Sequence, residues 1–181
     1  MIASLERSRA ATAVDRIGKH NAFKPASWGA YAKLANSLPM AIRQQGLARA
    51  VAMTVASFAK EKDPLKKLGR ASVLDDLCEG ILSWHTNAGT PAAFNNLTTA
   101  IASTATSDEP NAVNIQARAC ALIDQSIKLD FWSYTVLQRE CQEILQWLKV
   151  LSEQHKPKEP AGGPGVSPSV PATADGEGAA S

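Results

Sequence analysis

No apolar run in this chain is long enough to cross a bilayer. The most hydrophobic stretch, residues 50–59, is ten residues long and carries Thr54 and Ser57, against the roughly 20 that a spanning helix needs. Glu6, Arg7 and Arg9 interrupt the N-terminal segment, which therefore lacks the apolar core of a leader peptide. Cysteine is scarce. Cys78, Cys120 and Cys141 are widely spaced, odd in number and without a C-x-x-C pair, a pattern of reduced thiols rather than a disulfide framework. These absences point to the cytoplasm and to no membrane partner.

Catalytic signals are equally thin. The three histidines, His20, His85 and His155, lie more than about sixty residues apart and outside any ligand-spaced motif. His20 and His155 fall at expected helix ends, where a solvated or dipole-facing imidazole is the plain reading. Phosphate-loop, dinucleotide, zincin and nucleophile-elbow patterns are missing. Asp75 and Asp76 are neighbours in sequence and point apart on a helix, so a role in a first helical turn is expected rather than paired acid–base chemistry. Glu140 and Glu143 share a helix face, where salt bridging or solvation is the plain reading and cation binding the sharper one. No catalytic residue, cofactor or metal is expected.

Strand signals are nearly absent too, with no sustained alternation and no Asn-Gly or Asp-Gly turn. What the chain has is helical periodicity. A first helix runs from Ser4 to about Lys19 on Leu5, Ala10, Ala13, Val14 and Ile17. A second carries Trp28, Tyr31, Ala35, Leu38 and Ile42, with Pro39 inside it predicting a kink, or a restart capped by Ser37. Gly46 stops it. Leu47, Val51, Val55 and Phe58 line a third. Asp63-Pro64 opens the next segment, Gly69 breaks it, and Ser72 with Asp75 reads as a capping box before Leu74, Leu77, Ile81 and Trp84. Thr90-Pro91 opens a helix on Phe94, Leu97 and Ile101, and residues 104–111 form a polar loop. Val113, Ala117, Cys120, Ile123 and Ile127 mark a further helix. Asp130 caps the last, whose stripe is Tyr134, Leu137, Cys141, Ile144, Leu148 and Leu151. The expected fold is an all-α, single-domain bundle of six to eight helices, with a kinked second helix and the long C-terminal helix as its pillar.

The formal charge of +2 conceals an asymmetry. Residues 1–70 contain 13 Lys/Arg and 4 Asp/Glu, whereas residues 71–155 contain 4 and 10. Such a division suggests a polyanion on one side and a basic protein surface on the other, or simply two solvated faces. Residues 156–181 hold five prolines, five glycines and five alanines and no Leu, Ile, Met or aromatic residue. That composition cannot offset the entropy of ordering. The domain is therefore set at residues 1–155, followed by a disordered tail.

Residues 31–53 resemble the signature of the small subunit of the type III-B CRISPR–Cas effector, the Cmr-type RAMP complex. Tyr31, Leu34, Leu38, Pro39, Ile42, Arg43, Gly46 and Leu47 carry the likeness. Tyr134, Glu140 and Trp147-Leu148-Lys149 resemble the family's closing helix, and Arg9-Ala10 its opening one. Residues 60–130 show no such match, and Val150-Leu151 stands where family members often have Arg-Phe. The resemblance implies an all-helical, non-catalytic subunit. Its partners would be the other effector subunits, including the backbone RAMP subunits, further copies of itself in a stacked row, and guide and target RNA.

A surface that holds any target sequence should contact phosphates, which requires only cations and backbone donors. The candidates are Arg43 and Arg49 beside Gly46, then Lys60, Lys62, Lys66, Lys67 and Arg70 around the next turn. Lys149 is added on the family pattern. Of the four tryptophans, Trp28 and Trp84 fall in core stripes and Trp147 covers a neighbouring helix. Trp132, beside Phe131, is left for a partner contact. The alternatives are a helical DNA-binding regulator, which would need polar side chains aimed at base edges, a helical scaffold, and an enzyme whose site leaves no motif. The tail reading is testable by truncation: a chain ending at His155 should keep its melting temperature within a few degrees, and a large drop would show that the tail packs.

Overall fold

A computed structural model describes residues 2–88, 90–104 and 112–155. The tail and nearly all of the polar loop lie outside the described residues. The elements are α1 (Ile2–Lys19), α2 (Pro25–Gln45), α3 (Leu47–Ala59), α4 (Pro64–Ala88), a 3₁₀ turn (Ala92–Phe94), α5 (Asn95–Ser103), α6 (Ala112–Ser126) and α7 (Phe131–Gln154). The fold is a single all-α bundle of seven helices, without strands among the described residues.

The centre of the bundle is α4, which packs against each of the other six helices. Its residues from Ala71 to Cys78 are buried without interruption, as expected of a helix enclosed on all sides rather than of a surface helix with one apolar stripe. The C-terminal helix α7 is long but flanks this centre, packing on α1, α2 and α4. The pillar is thus α4. The stripes expected on α2, α3 and α7 are buried, apart from Tyr134, which is half-buried.

Local signals at the turns hold where the cap is short-range. Asp63 Oδ1 accepts from the Leu65 N–H at 2.9 Å and starts α4. Asp130 accepts from the N–H groups of Trp132 and Ser133 at 2.9 and 3.0 Å and starts α7. Gly46 separates α2 from α3 at φ +83°, a conformation disfavoured for residues with a Cβ. Its N–H closes α2 by donating to the Ile42 carbonyl at 2.9 Å.

Signals that depend on distant residues read differently. Gly69 does not break α4. A Cβ there would lie 2.0 Å from the Ser27 carbonyl oxygen, so the glycine lets α4 approach α2. Ser72 is not a cap; inside α4, its hydroxyl donates to the Leu68 carbonyl. The restart at Ser37 is absent as well. α2 runs unbroken through Pro39, which has no N–H to give the Ala35 carbonyl, and Ser37 Oγ donates to the Leu34 carbonyl at 3.4 Å. On α1, Val14 faces solvent. On α6 the register is shifted: Val113, Ala117, Cys120 and Ile127 are exposed, and Ile115, Arg118, Ala119 and Leu122 face the core.

Polar groups inside the bundle tie α4 to its neighbours. Asp75 and Asp76 are buried midway along α4. Arg16 of α1 donates Nε to Asp76 Oδ1 at 2.6 Å and Nη2 to Asp75. His20 Nε2 lies 2.8 Å from Asp76 Oδ2, and the Tyr31 hydroxyl of α2 donates to the same oxygen at 2.7 Å. Arg118 of α6 bridges Asp75 and Glu79, reaching Glu79 Oε1 at 2.5 Å. His20 is therefore a buried hydrogen-bonding residue, not a solvated helix end, and the two aspartates are mid-helix ion-pair partners, not first-turn charges. A second tie joins Arg9 of α1 to Glu140 of α7 at 2.7 Å.

Burial alone would raise the Asp76 carboxyl, but the His20 hydrogen bond, the His20 and Arg16 charges and the Tyr31 hydroxyl together hold it below the ordinary carboxylate value. A carboxylate depressed in this way contributes stability above its unfolded value of about 3.9 and loses it as pH falls toward the folded value. Asp76→Asn leaves Arg16 with Asp75 as its only carboxylate and removes the charge that His20 and Tyr31 meet. It should cost about 3–5 kcal/mol in urea unfolding at neutral pH, and the difference from wild type should narrow below about pH 4. A loss under 1 kcal/mol, or one that does not change with pH, would contradict this role.

Candidate nucleic-acid interface

The charge asymmetry is partly consumed inside the molecule. Arg9 and Arg16 from the basic half meet Glu140, Asp75 and Asp76 from the acidic half in buried salt bridges. The acidic half therefore presents fewer carboxylates to a basic partner than its composition suggests. Glu140 is engaged by Arg9, the salt-bridging alternative rather than a cation site. Among the described residues no group of three or more His, Cys, Asp or Glu is placed to hold a metal.

The cations left outside gather at two turns. Arg43 in the last turn of α2 and Arg49 in the first turn of α3 are exposed on either side of Gly46. The sharp turn keeps them on one end of the molecule. Lys60 and Lys62 are exposed in the α3–α4 connection, and Lys66 and Lys67 begin α4. Cations in a first helical turn oppose the helix dipole, and α4 has no acidic residue there. Asp63, which caps α4 and lies 3.7 Å from Lys66, offsets part of that charge.

Two of the eight sequence candidates are partly neutralised: Lys66 lies 3.7 Å from Asp63, and Arg70 lies 3.5 Å from Glu61 while donating to Ser57 Oγ at 3.0 Å. The other six form no salt bridge among the described residues. α3 separates the two groups, placing Arg49 and Lys60 about 16 Å apart along its axis. Lys149 does not join them. It stands 15 residues along α7 from Tyr134, roughly 22 Å by helical rise, and Tyr134 is the residue that touches the α2–α3 turn.

A groove of about 250 Å³ runs between α2 and α3 and is closed by Arg70. Lys33 lines it opposite α3. This lysine was missed in the sequence because it belongs to no cluster; its signal is only that it lies off the buried stripe of α2.

The sequence profile of the family described as CRISPR-associated protein (Cas_Cmr5) matches residues 5–155. The chain belongs to that family. Its members are subunits of the Cmr complexes of type III-B CRISPR systems. No curated protein and no solved structure matches the chain significantly.

Most residues that carry the Cmr likeness turn out to hold the bundle together. Arg9 and Glu140 are salt-bridge partners. Tyr31 donates to Asp76. The Tyr134 hydroxyl accepts from the Ala48 N–H at 3.4 Å, and a Cβ on Gly46 would lie 3.1 Å from that oxygen. Trp147 Nε1 donates to Glu6 at 3.3 Å and so covers α1. Arg43, the one charged signature residue of α2, is exposed and takes part in none of these ties.

Proposed function

We propose that the protein is the non-catalytic small subunit of a type III-B effector, present in several stacked copies along the backbone subunits. Its cations contact phosphates of the guide–target RNA in antiviral defence. Family membership gives the coarse frame of a Cmr complex subunit. The observation that carries the finer reading is the division of the arginines. Arg9, Arg16 and Arg118 are spent on buried carboxylates, whereas Arg43 and Arg49 remain exposed on one turn, with four lysines at the next. Cations without sequence-reading partners suit a strand held by its backbone. No helix among the described residues is long and apolar enough to cross a membrane, in keeping with a cytoplasmic complex.

The test reverses Arg43 and Arg49 to Glu in the assembled effector. On a single strand each phosphate contact adds about 0.7 to the log–log salt slope, so losing two near physiological salt corresponds to at least about tenfold in target RNA affinity. The complex should assemble normally on size exclusion and show a shallower salt dependence. Failure to assemble would mean that Arg43 pairs with an acidic residue of a neighbouring subunit. Unchanged RNA affinity in a fully assembled complex would remove both residues from the interface.

A further inference from the structure

The cations at the two turns would hold a strand by its charge, and a phosphate is the same group in RNA and in DNA. A surface of lysine and arginine alone therefore positions a strand without telling one polymer from the other. What differs between the two is the ribose 2′-hydroxyl, which both donates and accepts a hydrogen bond. Recognising it takes neutral polar side chains with spare donors and acceptors, set beside the path of the phosphates.

The groove between α2 and α3 supplies such groups next to both cation clusters. Gln45, the last residue of α2, lines it beside the Gly46 turn and two positions from Arg43. Ser57, three residues before Lys60, lines it toward the α3–α4 connection. Lys33 and Ser37 lie on its α2 wall. All four side chains are on exposed residues. The groove thus runs from one cluster toward the other, and a strand that touches both turns of one copy passes along it.

The bonds these side chains already make leave them capacity. Ser57 Oγ accepts from Arg70 Nη1 at 3.0 Å, so its own O–H remains to donate. Ser37 Oγ gives its hydrogen to the Leu34 carbonyl across 3.4 Å, and its lone pairs remain to accept. The Gln45 amide offers both functions. Arg70 is held between Glu61, at 3.5 Å, and Ser57, so it acts as a wall that orients Ser57 rather than as a phosphate ligand. Lys33 enters no ion pair among the described residues and is the cation of this groove left for a phosphate. Leu34 and Met53 add an apolar floor, against which the carbon face of a sugar packs. The volume of about 250 Å³ is below the roughly 300–1,000 Å³ of sites that enclose a small molecule, as suits a stretch of backbone laid across the surface.

We infer that the α2–α3 groove reads the ribose of a single strand. Lys33 holds a phosphate between the two cation clusters, and Ser37, Gln45 and Ser57 hydrogen-bond to 2′-hydroxyls. The chain then selects RNA over DNA while remaining indifferent to sequence. This rests on the phosphate contacts proposed above and adds to them a selectivity for the sugar, carried by residues outside the cation clusters.

Fluorescence anisotropy of the full-length protein tests this with three single strands of one mixed A/C sequence, made as RNA, as DNA and as 2′-O-methyl RNA, each titrated over a range of salt. Adenine and cytosine are the same bases in all three, so only the sugar changes. RNA should bind at least about fivefold more tightly than either of the others, the equivalent of one neutral hydrogen bond, with a common salt slope. Ser37→Ala, Gln45→Ala and Ser57→Ala combined, all at exposed positions, should lower RNA affinity to that of DNA. Lys33→Ala should weaken all three strands alike and reduce the slope by about 0.7. Equal affinity for RNA and DNA at a common slope would overturn the inference and leave the phosphate contacts standing. An RNA preference that survives the triple substitution would overturn it too, as would a 2′-O-methyl strand that binds as tightly as RNA, since strand conformation would then be what is selected. A slope near zero on every strand would remove the phosphate contacts themselves, and the inference with them. The three-strand comparison uses the unaltered chain, so it decides the matter even if a variant fails to fold by circular dichroism.

Discussion

Two adjacent carboxylates buried at the middle of the central helix set the terms for the rest of the structure. An ionised aspartate inside a bundle is tolerated only when paired and hydrogen-bonded, and α4 buries two in succession. Asp75 and Asp76 share Arg16 of α1; Asp76 also takes His20, just after α1, and Tyr31 from α2, and Asp75 takes Arg118 from α6. Each partner fixes the rotation and height of its own helix against α4. Apolar packing would permit several registers of a small-residue helix such as α3 or α6; the polar contacts reach α1, α2 and α6 directly and leave α3 to follow from its packing on α6. The buried thiols Cys78 and Cys141 belong to the same dry interior, where burial pushes Cys78 up to about 12, so both act as small apolar groups at neutral pH.

How far this was legible depended on sequence distance. Periodicity sufficed for α2, α3 and α7 because their buried faces are mostly apolar, with Ser27, Thr54, Glu140 and Ser152 the polar residues buried among them. Asp63, Asp130 and Gly46 were readable because a cap and the groups it satisfies lie within a few residues. The central network was not, since Asp75 and Asp76 look like first-turn residues until partners 43 to 60 positions away are brought beside them. The same applies to Gly69, whose cause is the Ser27 carbonyl of another helix. On α6 the buried stripe contains Arg118, and a charged residue in the core face hid it behind the alternative stripe of Val113, Ala117 and Cys120. Of the candidate surface, the clusters at the two turns were visible as local charge runs, whereas Lys33 and the groove it lines required α2 and α3 to be placed side by side.

The division between internal and external arginines links the fold to the proposed role. A chain with nearly balanced formal charge can still offer a polyanion a positive patch if its exposed cations are clustered; the buried Asp75, Asp76 and Glu140 are matched by Arg9, Arg16 and Arg118, so the patch rests on the grouping of Arg43, Arg49 and the lysines of the next turn. The family signature then has a dual content. Tyr31, Gly46, Tyr134, Glu140 and Trp147 secure the helices, and that rigidity presents Arg43 and Arg49 on a fixed turn, where a single misplaced helix would separate them.

The central claim is that this external surface meets a strand through its phosphates. The most direct measurement is the salt dependence of binding between the isolated full-length protein and mixed-sequence single-stranded RNA. About three phosphate contacts per copy predict weak binding, a slope of log affinity against log salt of about −2, and the same value for scrambled sequences. A slope near zero, or an affinity that follows the base sequence, would contradict the account.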